Sequence, residues 1–335
     1  MVRIAKILGS AVLAFLLASP AALADDADLL PIKVGIPYPT TDTLPIYVAQ
    51  DRHYFAAAHL AVDVVSLDTG DKITFALLGG SIQVGTYTPD WFIRAIEKGA
   101  KISIVLGEGS DLVFSMVAPD SVKGYADLRG KRIGVSTLKA ADAYIVKRMF
   151  AAHGIGVDDY VAVPAGPTPQ RAAALRAGSL AATLLAPPTD QRLIDDGGFK
   201  RLERSSKVVT HYAWGGEAVM TDWAEAHKTA LVDYIRAWIK GMRWLRDPKN
   251  REAGIALMAR DLKLDERYAR STFDVYYGPE ATAPQDGKLD IAGYDVVLQG
   301  MAEQGELGSP LPPARKFLET KYWEEAQRQN KTASP

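Results

Sequence analysis

Short apolar runs rich in β-branched residues alternate with amphipathic segments along most of the chain. Such runs, bounded by Gly, Pro or hydroxyl residues, predict strands, and apolar residues at helical spacing predict helices between them. The strands predicted in the first part of the chain are Ile32–Ile36, Val62–Leu67, Ile82–Gly85 and Ile102–Leu106. Strands that alternate with helices are typical of a mostly parallel sheet covered by helices on both faces.

Residues 127–150 show the clearest change from a strand pattern to a helix pattern. Ile133–Val135 predicts a buried strand, and apolar residues up to Phe150 then recur at helical spacing. Ser136 and Thr137 stand where we expect the strand to give way to the helix. Free backbone N–H groups and the helix dipole at such a point favour a small anionic or polar ligand. An ordinary N-cap is the alternative interpretation of the two hydroxyls.

This pattern is repeated within the chain. Lys33–Ile36 matches Arg132–Val135 at an offset of 99 residues, and Ala76–Ile82 matches Ala174–Leu180 at an offset of 98. Two matches at nearly one offset predict two similar α/β lobes. The remaining strands are predicted at Tyr160–Val163 and Ala181–Leu185 in the second lobe, and at Glu217–Met220, which returns to the first lobe.

Beyond Asp222 the pattern is helical. Apolar residues fall on one face from Leu231 to Leu245, and Arg251–Leu262 and Glu266–Tyr276 continue in the same way. We interpret these segments as structural helices packed on the first lobe, with their Trp and Met residues in the core. The residues from Arg328 onward are predicted to be a frayed tail.

The N-terminal residues predict a secretory signal peptide rather than part of the fold. Arg3 and Lys6 precede the apolar run Ile7–Ala18, whose 12 residues are too few to span a bilayer. Ala22-Leu-Ala24 is a small-residue cleavage site, so we expect cleavage after Ala24 and export to a bacterial periplasm. The chain has no cysteine, which excludes disulfides, thiol catalysis and a lipid-modified cysteine anchor. A soluble monomer is expected.

Composition and motifs exclude several classes of function. The formal charge is −1, no basic run stands out, and neither nucleic-acid nor membrane-surface binding is expected. The five histidines are scattered, and no metalloprotease, nucleophile-elbow or Walker motif is present. Gly107–Ser110 lacks the third glycine of a dinucleotide fingerprint. We therefore expect no catalytic residues, no metal and no cofactor.

The predicted strands end in hydroxyl, small and aromatic residues. Ligands of open α/β sheets bind outside the carboxyl ends of the strands, so two facing lobes would form a cleft for a small molecule. Helix capping by Thr and Gly is the alternative explanation. The candidate ligand-binding residues are Tyr38, Thr40, Thr41, Thr69, Gly70, Thr86, Tyr87, Thr88, Ser136, Thr137, Pro187 and Trp214.

Four segments resemble a known family. They are Leu44–Gln50 with Tyr54-Phe55, Ala76–Ser81, Val122–Val135 and Ala174–Gly178. Together they resemble the substrate-binding proteins of ABC importers of the nitrate/sulfonate/taurine type, and the Asp-Leu-Arg-Gly-Lys-Arg-Ile-Gly-Val run that ends at Val135 is the most specific part.

The resemblance implies a two-lobed periplasmic binding protein fold of type II, in which each lobe is a mostly parallel sheet flanked by helices. Lobe 1 would comprise residues 25–116 and 214–335, and lobe 2 residues 117–213. Two crossing strands near Val113–Ala118 and Trp214–Met220 would join the lobes, which would close on ligand about this hinge.

The resemblance also implies a function. The protein would bind a small organic anion, such as a sulfonate or carboxylate, and deliver it to a membrane permease. We expect the anionic group to lie at Ser136 and Thr137, with Lys139 nearby.

The sequence departs from the family pattern at three positions. Gln83 and Ala181 replace acidic residues, and Ala186-Pro187 replaces Glu-Pro. Two alternatives stay open: a pyrimidine-synthase-like enzyme, whose cysteine-rich motif this chain lacks, and a sensor that presents ligand to a receptor.

Overall fold

The computed structural model describes residues 29–109, 113–279, 281 and 286–332. The predicted signal peptide, residues 1–24, lies outside the described residues, so cleavage after Ala24 stays a prediction. No helix within the described ranges is long and apolar enough to cross a membrane.

The first sheet has five strands, and one of them comes from much later in the chain. Its strands are β1 (Leu30–Ile36), β2 (Leu60–Ser66), β3 (Val84–Tyr87), β4 (Ile102–Gly109) and β10 (Gly215–Met220). The order is β2-β1-β3-β10-β4. β1 is parallel to β2 and β3, whereas β10 runs antiparallel between β3 and β4.

The second sheet repeats this arrangement. Its strands are β5 (Ser115–Pro119), β6 (Arg132–Val135), β7 (Val161–Pro164), β8 (Ala182–Leu185) and β9 (Phe199–Arg204). The order is β7-β6-β8-β5-β9, and β5 is the antiparallel strand between β8 and β9. β6 thus occupies the place that β1 has in the first sheet, as the offset of 99 residues predicts. The α/β class and the repeat are confirmed.

The chain passes from the first sheet to the second after Gly109, and returns before Gly215. β5 pairs with strands of the second sheet, and β10 pairs with strands of the first. The segments predicted as crossings, Val113–Ala118 and Trp214–Met220, are therefore mostly strand within one sheet. The division into lobe 1 (25–116 and 214–335) and lobe 2 (117–213) stays a prediction.

Helices cover the faces of both sheets. Those that precede β10 are α1 (Leu44–Asp51), α2 (Gly70–Leu78), α3 (Pro89–Glu97), α4 (Ala141–Ala152), α5 (Thr168–Arg176) and α6 (Thr189–Asp195). Those that follow β10 are α7 (Thr221–Ala226), α8 (Lys228–Arg246), α9 (Arg251–Asp261), α10 (Glu266–Tyr277), α11 (Ile291–Glu303) and α12 (Lys321–Thr332). Because α12 continues to Thr332, the frayed tail predicted from Arg328 is wrong for residues 328–332.

The long helix α8 buries one apolar face against α1 and the first sheet. Leu231, Ile235 and Trp238 are fully buried there, which confirms that this Trp is a core residue. α11 is different, because it packs against α3 beside the first sheet and against α4 beside the second. The C-terminal helices therefore do more than cover the first lobe, since α11 also connects it to the second.

Gly241→Ala is expected to destabilise the protein by about 1–3 kcal/mol, the usual cost of overpacking. A Cβ at Gly241 would lie 2.3 Å from the carbonyl oxygen of Pro45 and 3.2 Å from its carbonyl carbon. Both atoms belong to the backbone of α1, so α1 and α8 would have to move apart. Urea unfolding checks this against Gly124→Ala, where a Cβ meets nothing within 4 Å. Equal stability of the two variants would contradict it.

Candidate functional site

A cleft of about 1150 Å³ lies between the two sheets and is lined by loops from both. The loops that follow β1, β2 and β3 contribute from the first sheet, and those that follow β6, β7 and β8 contribute from the second. All twelve candidate residues predicted from the sequence line this cleft. The structure therefore brings them together, and their contact with a ligand stays a prediction.

The loop between β1 and α1 is held in place by its own threonines. The Thr43 hydroxyl donates to the Thr40 carbonyl at 2.9 Å and accepts from the Thr40 N–H at 3.1 Å. The Tyr277 hydroxyl donates to the carbonyl of Thr41 at 2.5 Å, which ties α10 to the same loop. This part of the cleft is thus positioned before any ligand enters.

Aromatic rings form much of the cleft wall. Tyr87 and Trp91 meet edge to face with centroids 6.5 Å apart, and Trp91 lies directly over Gly70, where a Cβ would come within 2.6 Å of its ring. Phe114 and Trp214 form a second edge-to-face pair at 4.5 Å. Burial, with the Asp90 carboxylate adding to it, raises the pKa of Tyr87 to about 12. These rings suit an organic ligand with a flat or apolar part.

Other candidate residues differ in their exposure to solvent. Thr69 and Thr137 are exposed, whereas Thr88 and Pro187 are half-buried. Thr86 is 2% exposed, and its hydroxyl has no hydrogen-bond partner among the described residues.

The donors of Ser136 are already occupied. The Ser136 N–H donates to Asp142 Oδ2 at 2.7 Å, and the Ser136 hydroxyl donates to Asp142 Oδ1 at 2.6 Å. The loop 136–140 separates β6 from α4, so Ser136 does not stand at the helix start that the sequence pattern predicts. The anion beside Ser136 is the protein's own carboxylate, from the first turn of α4.

Arg171 on α5 is the third member of the group that Ser136 and Asp142 form, and the sequence analysis missed it. Its Nη1 lies 3.2 Å from Asp142 Oδ2, and the side chains of Arg171 and Asp142 are 4% and 6% exposed. Arg171 also donates to the carbonyls of Leu184 and Gly166. Burial lowers the pKa of Arg171, and the Asp142 carboxylate opposes this. The guanidinium is thus engaged by the protein itself.

A second arginine joins the two lobes at the rim. Arg94 on α3 donates to Asp90 Oδ2 at 2.6 Å and to Glu306 Oε2 at 2.5 Å. It also donates to the carbonyl of Lys139, in the loop after β6, at 3.2 Å. Arg94 and Arg171 are therefore both paired with carboxylates of the protein itself.

Three carboxyl groups of the cleft have no such pairing, and for one of them, Asp71, a hydrogen bond with the Thr69 side chain lowers the pKa. Asp42 and Glu108 make no ion pair with the described residues, and Glu108 Oε1 has no hydrogen-bond partner among them. Glu108 is 5% exposed. Burial raises its pKa well above the usual range, and Glu217 and Asp42 add to the effect. Burial also raises the pKa of Asp42 to about 6.

A bulge in the first sheet positions Glu108. Gly107 and Gly109 pair with the consecutive residues Gly216 and Gly215 of β10, so Glu108 stands between two ladder positions without a partner of its own. Such bulges redirect a side chain, and they are common beside functional sites. Gly215 leaves room for the carboxyl, because a Cβ there would lie 2.5 Å from Glu108 Oε2.

The sequence analysis found the hydroxyls of this site and missed its acids. Eight acidic and five basic residues line the cleft, so its formal charge is negative. Asp42 lies inside the hydroxyl-rich loop 37–43, and Glu108 lies inside Gly107–Ser110, so both segments were visible in the sequence. No group of three or more metal-ligating side chains occurs in the described part of the chain.

Residues 40–186 match the family model described as NMT1/THI5 like. No curated protein sequence matches the chain.

Solved structures share the fold over nearly the whole chain. A ligand-binding component of an ABC-type import system from Staphylococcus aureus has a TM-score of 0.75 and 14% identity, covering 89% of this chain and 99% of that one. The nitrate-binding protein NrtA from Synechocystis has a TM-score of 0.73 and 14% identity, covering 90% and 89%. The aliphatic sulphonate-binding protein SsuA from Escherichia coli has a TM-score of 0.72 and 17% identity, covering 87% and 92%.

These comparisons show that the chain has the periplasmic binding protein fold, which it shares with nitrate- and sulphonate-binding proteins. The fold is not restricted to binding proteins. The desulfurization enzyme DSZB shares it with a TM-score of 0.65 and 15% identity, covering 90% of this chain and 99% of that one.

Proposed function

We propose that the protein is the solute-binding component of an ABC importer, which takes a small organic molecule into the cleft and delivers it to a membrane permease. The observation that carries this proposal is the cleft itself. It lies between two sheets of like topology, and its walls combine aromatic rings with polar groups at the strand ends. Periplasmic location and a monomeric state are part of the proposal, in keeping with the fold that the chain shares with importer components.

The sequence predicts a small organic anion as the ligand, and a sulfonate or carboxylate remains one candidate. The names of the neighbours SsuA and NrtA support it, since those proteins are described as binding sulphonate and nitrate. Such an anion would need donors other than those of Ser136, which Asp142 engages. Lys98 and Lys139, exposed at the rim, are cations that could approach it.

An enzyme on the same fold is the second candidate, because DSZB shares the architecture and the matching family model carries the names NMT1 and THI5. The binding protein is favoured because the cleft lining includes no histidine among the described residues, and the whole chain has no cysteine. A sensor that presents its ligand to a receptor would use the same cleft. Loss of solute uptake on deletion of the gene would distinguish an importer component from a sensor.

Closure on ligand is the expected result that tests the proposal. In solution scattering, the radius of gyration should fall when a panel compound binds, because the two sheets approach each other about the segments that join them. Thermal shift against organic sulfonates, carboxylates and amines would find that compound first. A ligand at about one hundred times its dissociation constant stabilises by about 2.7 kcal/mol, which is readily visible. An unchanged scattering profile with a saturating ligand would contradict closure.

A further inference from the structure

The cleft contains a buried, unpaired acidic site that the importer role by itself does not explain. Glu108 and Asp42 line the cleft, and neither makes an ion pair with a described residue. Glu108 is more than nine-tenths buried, and its Oε1 has no hydrogen-bond partner among the described residues. A buried acceptor left without a partner costs free energy, so such groups are uncommon unless something else satisfies them.

Five of the six other acids of the cleft are ion-paired within the protein, and the sixth, Asp71, has a lowered pKa because its carboxylate accepts a side-chain hydrogen bond. Asp90 is paired with Arg94, and Asp142 with Arg171 and Ser136. On the rim, Asp68 is paired with Lys72 at 2.9 Å. The contrast separates Glu108 and Asp42 from acids that merely compensate a neighbouring cation.

The residues that line the cleft with these two acids suit an organic cation. Tyr276, Phe114 and Trp214 line the same cleft, and aromatic faces attract organic cations. Burial raises the pKa values of both Asp42 and Glu108, because it penalises carboxylates that have no counter-charge, and for Glu108 the carboxylates of Glu217 and Asp42 add to the effect. A cation placed between them would remove that penalty.

Resting on the proposed solute-binding function, we infer that the ligand presents a protonated nitrogen, an ammonium or amidinium group, to Glu108 and Asp42. The inference concerns one end of the ligand. An anionic group elsewhere on the same molecule, as in an amino sulfonate, is compatible with it. The chemistry is that of charge-assisted hydrogen bonds from N–H donors to carboxylates.

Matched probe pairs test the inference on the full-length mature protein. Benzylamine is compared with benzyl alcohol and benzoate, and 2-aminoethanesulfonate with ethanesulfonate, by thermal shift and calorimetry at neutral pH. At least one amine should bind more tightly than its nitrogen-free partner. Glu108→Gln and Asp42→Asn should each weaken that amine by about tenfold to a hundredfold, the equivalent of one charge-assisted hydrogen bond. Asp196→Asn, an exposed acid outside the cleft, should bind it as the wild type does.

The outcomes separate this inference from the proposed function. Binding and closure with a sulfonate or carboxylate that lacks nitrogen, together with no binding of any amine, would overturn the protonated-nitrogen site and leave the solute-binding role intact. Amine binding that Glu108→Gln and Asp42→Asn leave unchanged would also overturn it. Amine binding that depends on both acids but produces no change in scattering would support the site and count against closure.

Discussion

Asp142→Asn is expected to destabilise the protein by about 3–5 kcal/mol, the usual cost of removing one partner from a buried ion pair. Arg171 would keep its bonds to the carbonyls of Leu184 and Gly166, yet its guanidinium would lie in a 3% exposed position without a counter-charge. Ser136 would also lose one of the two carboxylate oxygens that its N–H and hydroxyl now share. Urea unfolding at neutral pH measures the difference.

An exposed pair provides the matched control for this experiment. Arg176 and Asp196 are also joined by an ion pair, but their side chains are 55% and 57% exposed. Solvent screens such a pair, so Asp196→Asn should cost less than about 1 kcal/mol. In addition, Arg171→Met combined with Asp142→Asn should recover part of the loss, because no buried charge then lacks a partner. Equal costs for Asp142→Asn and Asp196→Asn would show that the buried pair is not what stabilises this loop.

The sequence predicts the elements whose signals are local. Ile32–Ile36 and Ile133–Val135 are short apolar runs, and both are central strands in the structure. The repeat offset places them at equivalent positions before any contact is known. The buried face of α8 follows from helical spacing in the same way, because one side of a long amphipathic helix has only the core to pack against.

Other elements carry no such local signal. The sequence of β9, Phe199–Arg204, shows neither an apolar run nor an alternating pattern, and in the structure each of its residues is half-buried. Its pairing with β5 is what makes it a strand, and that contact is distant in sequence. α12 is also strongly polar in sequence, and it packs against α8, which is likewise distant in sequence. Tertiary context decides such segments.

The candidate site likewise contains residues that the sequence predicts and residues whose role depends on tertiary contacts. The hydroxyls of the cleft are predictable, because residues at the carboxyl ends of parallel strands meet at one edge of a sheet. The role of the acids is not predictable, because the residue type alone does not show whether a carboxylate is buried or solvated. The burial of Glu108 depends on a bulge opposite Gly215, which no local pattern indicates. Ser136 is engaged by Asp142, only six residues later, and Asp is a residue type that often accepts such local bonds from backbone N–H groups.

Beneath the cleft, Glu217 of β10 is a fully buried carboxyl group whose charge is costly. It is 0% exposed, and neither carboxyl oxygen has a hydrogen bond of normal geometry among the described residues. Burial raises its pKa from 4.5 to about 8, although the nearby Tyr234 hydroxyl and Trp238 indole oppose the shift. Between those two pH values the folded protein holds a proton that the unfolded chain has released. The free energy of unfolding must therefore decrease as the pH rises from about 5 to about 8.

Glu217→Gln should remove the part of this pH dependence that Glu217 contributes, and it should stabilise the protein under alkaline conditions. One unit of pKa difference corresponds to about 1.4 kcal/mol, so the gain near pH 9 is expected to be on the order of a few kcal/mol, with little change near pH 5. Glu108 remains titratable in the variant, so a smaller slope should persist. Urea unfolding at pH 5, 7 and 9 measures the profile, with Glu225→Gln, whose side chain is 63% exposed, as the control that should follow the wild type. A Glu217→Gln profile parallel to that of the wild type would mean that Glu217 stays charged in the folded protein, and that a counter-charge reaches it.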